Sequence, residues 1–276
     1  FLFLPSWRID DLMISYAVDG GSVGPHYDQY DVFLLQAEGQ REWRIGQMCS
    51  EQSSILEGPA LRILADFQET ERWVLNPGDM LYLPPQLAHY GISQGECMTY
   101  SIGFRSPRAD ELVSEFLAYA QENLCIDGIY ADPDLQLQTN SAEISAAMVS
   151  QVSSMIERLT WDRTDIGDFL GRYLSEPKAA VVFDAPDAPL SEKRFVSAAS
   201  KRGIALTIKS VMLFHGDEIY LNGEALDCVE EDIDALKVMA QSSASPYCCF
   251  LARRLTTRRA AGSLTRGSVC AFTQPM

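Results

Sequence analysis

Apolar and polar positions between residues 12 and 104 alternate over short distances, with no helical period between them. Runs rich in β-branched and aromatic residues are separated by turn sequences, among them Asp19-Gly20-Gly21, Glu38-Gly39 and Asn76-Pro77-Gly78. We predict eight short strands, at 12–18, 31–37, 42–46, 61–67, 72–75, 79–83, 89–93 and 98–104. Strands of this number and size predict a mainly β jelly roll or β-barrel over residues 1–106.

The pattern becomes helical after residue 106. Apolar residues recur at helical spacing between Pro107 and Cys125, again over 141–159, and briefly over 165–174. We therefore predict a helical region over 107–176 and expect it to dimerise the protein. The same apolar stripes would equally suit packing within one chain, and the sequence leaves that alternative open.

A small α+β domain is predicted over residues 177–250. Its first part, 177–192, contains three prolines and several acids and is typical of a linker. Two strands are predicted around His215-Gly216-Asp217, with Asn222-Gly223 as a second turn and a closing helix over 229–241.

Composition and charge narrow the classes of function. The 276 residues are 47% hydrophobic and 22% charged, enough to bury a core, and no apolar run approaches the roughly 20 residues of a membrane span. Lys and Arg number 22 against 38 Asp and Glu, a net charge of −16. That sign disfavours nucleic acid and favours a basic protein partner, and the lack of a long apolar run predicts no membrane partner. Seven scattered cysteines without CxxC spacing predict free thiols in a reducing cytoplasm.

The two ends of the chain differ from its body. Residues 251–276 contain five arginines and no acid, which leaves 17 Lys and Arg against the same 38 acids, or −21, on residues 1–250. We expect this basic tail to be disordered, with a nucleic-acid contact as the alternative. The chain begins at Phe1 and not at Met, so we expect that it lacks its native N-terminus.

Two of the three histidines stand where a turn leads into a strand. His26 and Asp28 are two residues apart, so that both side chains can point to one face of a strand. His89 occupies the corresponding place after Pro77-Gly78-Asp79 and a predicted strand. Two imidazoles and one carboxylate form the facial triad that holds Fe(II) and leaves coordination positions open. The alternative is that both histidines are structural.

The residues around these positions resemble the JmjC-type 2-oxoglutarate oxygenases, and within them the bacterial ribosomal oxygenases. The resemblance is carried by four stretches: 12–15, 23–46, 77–79 and 100–105. It implies a double-stranded β-helix of the cupin type, a winged-helix-like C-terminal domain, and Fe(II), 2-oxoglutarate and dioxygen at the triad. The implied reaction is hydroxylation of an arginine in large-subunit ribosomal protein sixteen. A histidine or small-molecule substrate, and a non-catalytic cupin regulator, are the alternatives.

The resemblance also implies roles for residues outside the triad. Arg41, fifteen positions after His26, would bind the distal carboxylate of 2-oxoglutarate, and a planar guanidinium is suited to such a bidentate contact. Thr99 and Ser101, on the last predicted strand, would lie beside the cosubstrate. Asp19 lies in the turn that leads to His26, and from that position we expect it to pair with a substrate guanidinium at the barrel mouth. The alternatives are a solvated Arg41 and an Asp19 that only forms its turn.

Overall fold

The structure is a computed structural model that describes residues 4–58, 61–124, 127–133, 136–183, 190–202 and 206–241. The chain divides into two compact units, the first ending at Arg108 and the second beginning at Ala109. Its strands and helices, in chain order, are β1 Ile9–Ala17, β2 Val32–Met48, β3 Glu71–Leu75, β4 Met80–Leu83, β5 Leu87–Phe104, α1 Ala109–Asn123, α2 Ala146–Ile156, α3 Arg163–Ser175, α4 Glu192–Arg202, β6 Met212–His215, β7 Glu218–Leu221, β8 Glu224–Leu226 and α5 Glu230–Gln241.

The first unit is built on one antiparallel sheet in the order β1-β5-β2-β3, with β4 also paired to β2. Its two central strands are long, with 17 residues in β2 and 18 in β5. Alternating buried residues of β2 pack with the last residues of β3 and β4 in a core of large apolar side chains: Val32, Leu34, Trp43, Ile45, Leu75 and Leu83.

The prediction of eight strands is wrong in two respects. The segments predicted as 31–37 and 42–46 form the single strand β2, and those predicted as 89–93 and 98–104 form β5. Glu38-Gly39, predicted as a turn between strands, is an irregularity within β2, where the pairing with β5 shifts register. Gly39 has φ +63°, and a Cβ there would overlap the carbonyl oxygen of Glu96.

The predicted strand 61–67 is also wrong. Within that segment the structure has only an isolated bridge between Ile55 and Leu64. Leu64 is buried with Cys49 and Ala88, whereas Leu61 is 57% exposed. The hydrophobic residues therefore anchor a loop to the sheet at one point and do not alternate along a paired strand.

The second unit combines helices with a three-stranded sheet in the order β6-β7-β8. The predicted hairpin around His215 and the turn at Asn222-Gly223 are confirmed. The strand β8 and the helix α4 were not predicted. Seven buried residues form the core between this sheet and its helices: Ala199, Met212, Ile219, Leu221, Ala235, Leu236 and Met239.

Two sequence features explain the structure of helix α3: the cap at its N-terminus and two glycines on the face that meets the sheet. Asp162 caps its N-terminus, and the side chain of Asp165 bonds back to the Asp162 amide, which completes a capping box. Further along, Gly167 and Gly171 let the rings of His215 and Tyr220 lie directly against the helix. The two glycines are one helical turn apart, so they open one face of α3 to the sheet.

Some predictions fall wholly or partly outside the residues that the structure describes. The basic tail 251–276 lies outside them, as do residues 184–189 of the predicted linker and 242–250 of the predicted α+β domain. None of the helices in the described ranges is both long and apolar enough to cross a membrane.

Candidate metal and cosubstrate site

The backbone of the first unit brings the two candidate histidines together. His26 and His89 form an antiparallel bridge: the His26 amide donates to the His89 carbonyl at 3.0 Å, and the His89 amide donates to the His26 carbonyl at 2.8 Å. Asp28 follows two residues after His26, and its carbonyl accepts a bond from the Gln86 amide at 2.7 Å. Main-chain hydrogen bonds thus join the segment that contains His26 and Asp28 to the start of β5, which contains His89.

Each imidazole is oriented by a backbone carbonyl. The Nδ1 of His26 lies 2.9 Å from the Gly24 oxygen, and the Nδ1 of His89 lies 3.0 Å from the Leu87 oxygen. Because a carbonyl oxygen only accepts, Nδ1 carries the proton in both rings, and the Nε2 lone pairs remain available. Histidines that bind metals are held in this way by their second ring nitrogen.

The ligand atoms of His26, His89 and Asp28 converge. The two Nε2 atoms are 3.1 Å apart, Asp28 Oδ2 lies 3.7 Å from His89 Nε2, and all three ligand atoms lie within 4.8 Å of one another. Two nitrogens bound to one ion at about 2.1 Å and at a right angle would be about 3.0 Å apart. The two facing lone pairs repel each other unless a cation lies between them, so this donor set fits a divalent metal. Two imidazoles and a carboxylate suit Fe(II) and leave positions for other ligands.

Burial shifts the pKa values of two of these ligands. It lowers the pKa of His89 to about 4, with a smaller contribution from the neighbouring His26. Burial also raises the pKa of Asp28, and His26 opposes that shift. At neutral pH the His89 ring is therefore uncharged, which is the form that can bind a metal.

Arg41 is buried on β2, two residues before Trp43. It is only 9% exposed, which rules out a solvated side chain. Its Nη1 donates to Ser15 Oγ at 3.3 Å, and its guanidinium lies 5.8 Å from the centre of the Trp43 ring, which in turn is 6.0 Å from that of His89. Arg41 Nε has no hydrogen-bond partner among the described residues. A buried cation with an unused donor fits an anionic ligand such as a carboxylate.

The remaining predicted site residues have different surroundings. Thr99 is fully buried, and its hydroxyl donates to Gln36 Oε1 at 2.9 Å. Ser101 is partly buried on β5 and lies opposite Met13 of β1 and Leu34 of β2. Asp19 is exposed, and its Oδ1 accepts a bond from the Gly95 amide at 2.7 Å. Asp19 therefore stabilises its turn with one carboxylate oxygen.

Sequence reasoning missed the buried polar side chains around Arg41. Ser15 accepts a bond from Arg41, Ser93 lies opposite Arg41 on β5, and Gln36 precedes Arg41 on β2; Gln36 and Ser93 are at most 2% exposed. The available signal was Gln36, which continues the alternation of the apolar residues Val32 and Leu34 and so occupies an inward position. A polar residue at an inward position requires buried partners.

Comparisons with known proteins define the class to which this fold and site belong. The family model described as the JmjC domain matches residues 1–112, and the one described as the ROXA-like winged helix matches residues 158–261. The chain is thus a JmjC domain followed by a winged-helix domain, as its sequence predicted.

Particular relatives narrow that class. The chain is 33% identical over 228 residues to the ribosomal protein uL16 3-hydroxylase of Escherichia coli, an alignment covering 82% of this chain and 61% of that protein. The X-ray structure of E. coli YcfD superimposes with a TM-score of 0.70 at 30% identity, covering 95% of this chain and 72% of that one. The structure of the ribosomal oxygenase YcfD in complex with cobalt and 2-oxoglutarate matches with a TM-score of 0.67, also at 30% identity, over 95% and 71% of the two chains. The chain belongs to the ribosomal oxygenases of the JmjC family, and it spans 61% of the length of its curated E. coli relative.

Proposed function

We propose that this protein is an Fe(II)- and 2-oxoglutarate-dependent hydroxylase that acts on an arginine of large-subunit ribosomal protein sixteen. The observation that carries the proposal is the convergence of the two Nε2 atoms, 3.1 Å apart, with the Asp28 carboxylate, beside a buried arginine that has an unused donor. The E. coli relative named as a uL16 3-hydroxylase supports the choice of substrate. The structure of YcfD with cobalt and 2-oxoglutarate supports the choice of cosubstrate.

The catalytic residues would be His26, Asp28 and His89, holding the iron. When bound, Fe(II) with 2-oxoglutarate and dioxygen supplies the oxidation of an unactivated C–H bond, coupled to formation of succinate and CO2. The Gly24 and Leu87 carbonyls hold both imidazoles in the tautomer that presents Nε2.

Arg41 would bind the distal carboxylate of 2-oxoglutarate. Its burial makes this interaction strong, because water competes little for a buried guanidinium. We propose Ser101 and Thr99 as polar neighbours of the cosubstrate, with the Thr99 oxygen able to accept while its hydrogen is donated to Gln36. Asp19 keeps one carboxylate oxygen for a substrate guanidinium, since Gly95 occupies the other.

Replacing one metal ligand tests this function. We expect His26→Ala to abolish succinate formation from 2-oxoglutarate with Fe(II) and a peptide from the ribosomal protein, and to abolish hydroxylation of that peptide in mass spectra. The matched control is His215→Ala, which changes an exposed histidine in the other unit and should preserve turnover.

Each alternative function predicts a different result. Turnover that persists in His26→Ala would refute the metal assignment. Hydroxylation that fragment spectra place on histidine would refute the arginine substrate, and a wild-type protein that never consumes 2-oxoglutarate would favour a non-catalytic regulator.

We also propose that residues 107–176 pair two copies of the chain in the cytoplasm. Val113 and Leu117 lie one turn apart on α1, and with Val149 and Ile156 of α2 they are 52% to 67% exposed. We expect Leu117→Glu to halve the mass measured by light scattering, and Gln121→Glu, which adds the same charge at an exposed polar position of α1, to leave it unchanged. A wild-type protein that has the mass of one chain would contradict the pairing.

A further inference from the structure

The inward-facing residues of β2 change phase partway along the strand. Val32, Leu34 and Gln36 are buried at even positions, whereas Arg41, Trp43 and Ile45 are buried at odd positions. The change coincides with two register shifts against β5, between Gln36 and Glu38 and between Glu38 and Gln40. Without this bulge, Arg41 would face away from the triad, because a shift of one residue moves a side chain to the other face of the sheet.

Gln36 holds the bulge from within. Its side chain is completely buried, and its Nε2 donates to the carbonyl of Glu38 at 2.8 Å and to that of Gly39 at 3.4 Å. These are carbonyls of the irregular segment itself, which the sheet does not bond in a regular ladder. One amide side chain thereby satisfies the backbone at the place where the strand changes phase.

The oxygen of the Gln36 amide is linked by hydrogen bonds, through Thr99 and Ser15, to Arg41. Its Oε1 accepts the Thr99 hydroxyl at 2.9 Å, and the Thr99 carbonyl accepts the Ser15 hydroxyl at 3.3 Å. Ser15 Oγ in turn accepts from Arg41 Nη1 at 3.3 Å. The Arg41 guanidinium is thus bonded to Ser15 of β1, and Ser15 is bonded to Thr99 of β5. Gln36 bonds to Thr99 and also stabilises the bulge that precedes Arg41.

We propose that Gln36 is a positioning residue for 2-oxoglutarate binding, acting through Arg41. This inference rests on the proposed function, because it takes Arg41 as the group that binds the distal carboxylate. The side-chain hydrogen bonds of Gln36 go to Glu38, Gly39 and Thr99, and not to the three candidate metal ligands. Its loss should therefore weaken the affinity for 2-oxoglutarate and leave the affinity for metal unchanged.

The test uses Gln36→Met, which keeps the length of the side chain and removes every hydrogen bond that it makes. Binding of Mn(II) is measured first, by electron paramagnetic resonance, and then binding of 2-oxoglutarate to the Mn(II)-loaded protein, by calorimetry. We expect the dissociation constant for 2-oxoglutarate to rise about tenfold and that for Mn(II) to stay within about twofold. The matched control is Gln47→Met: Gln47 also lies on β2 and bonds to two loop residues, Asp66 and Gln68, away from Arg41, so both constants should stay near wild type.

A double-mutant cycle separates positioning from a general loss of structure. In the Arg41→Met background, Gln36→Met should cause no further loss of 2-oxoglutarate affinity, because the residue through which it acts is gone. Gln36→Glu, which keeps an acceptor for Thr99 but loses the donor to the bulge, should weaken the same affinity and serves if Gln36→Met does not fold.

The outcomes distinguish this inference from the proposed function. If the wild-type protein does not bind 2-oxoglutarate, or Arg41→Met binds it equally well, the proposed function fails. If Arg41→Met weakens binding but the folded Gln36 variants bind like wild type, or lose the same factor in both backgrounds, then the positioning role of Gln36 is refuted.

Discussion

The two histidines of the candidate metal site differ in how deeply they are buried. His89 is 3% exposed and lies between His26 and Trp43, whereas His26 is only partly buried. The burial that lowers the pKa of His89 keeps its ring neutral and its Nε2 available. The same burial disfavours a protonated ring in the folded state.

The stability of the metal-free protein should therefore depend on pH through His89. The pKa of the ring is about 4 in the folded protein and about 6.5 in an unfolded chain. Between these values the unfolded state binds the additional proton, so stability is complete above about pH 6.5 and falls by about 3 kcal/mol as the pH drops towards 4. Urea unfolding in the presence of a chelator, from pH 7.5 to 4.5, measures the effect, and His89→Gln should remove it. A His89 ring whose NMR signals titrate near pH 6.5 would contradict this prediction.

The residues of the site differ in how far the sequence could predict them. His26, Asp28 and His89 follow from their places at the starts of predicted strands, whereas Arg41 follows only from the resemblance to the JmjC-type oxygenases. Gln36 and Ser15 do not follow, because their roles depend on which strand lies opposite and in which register. Pairing between residues 63 positions apart, as in Thr99 and Gln36, leaves no local signal.

Among the strands, the sequence Glu38-Gly39 is compatible with two different backbone structures. Glu38-Gly39 between two apolar runs is compatible with a turn that reverses the chain and with a bulge inside one strand, since both need a glycine at positive φ. The structure takes the second solution, because β5 has a matching irregularity opposite Gly39. The prediction divided β2 in two at this ambiguity, although it located the segments of every long strand.

Among the helices, α3 depends on a small residue where it meets the sheet. A Cβ on Gly171 would overlap the ring of Tyr220, a side chain that is 1% exposed. In an exposed helix, replacing glycine by alanine stabilises by about 1 kcal/mol. At Gly171 the overlap reverses that sign, and we expect Gly171→Ala to lower the free energy of unfolding by about 1–3 kcal/mol.

Urea unfolding checks this prediction for α3. Ser114→Ala, at an exposed position of α1, is the control, since it raises helix propensity without a contact to disturb and should leave stability equal or slightly higher. A Gly171→Ala protein as stable as wild type would show that the Tyr220 ring can move aside.

For the whole molecule, charge is the property that the sequence predicts most directly. The net charge is −16, and residues 1–250 carry −21 because five of the 22 basic residues lie beyond them. Folding places most of these acids at the surface, as in β1, where Asp10 and Asp11 are exposed. Such a surface attracts a basic protein over distances comparable with the screening length.

Under the proposed function, salt should therefore weaken binding of the basic peptide from the ribosomal protein. Raising the salt concentration from about 0.05 M to about 0.5 M shortens the screening length to a few ångströms, and we expect the KM for the peptide to rise several-fold while kcat changes little. The internal control is the KM for 2-oxoglutarate, which should change less, because the proposed partner of its carboxylate is the buried Arg41, where screening is weak. Steady-state kinetics across the salt series measures both constants. If the KM for the peptide were independent of salt, the acidic surface would have no part in substrate binding, and apolar or short-range contacts would have to account for it.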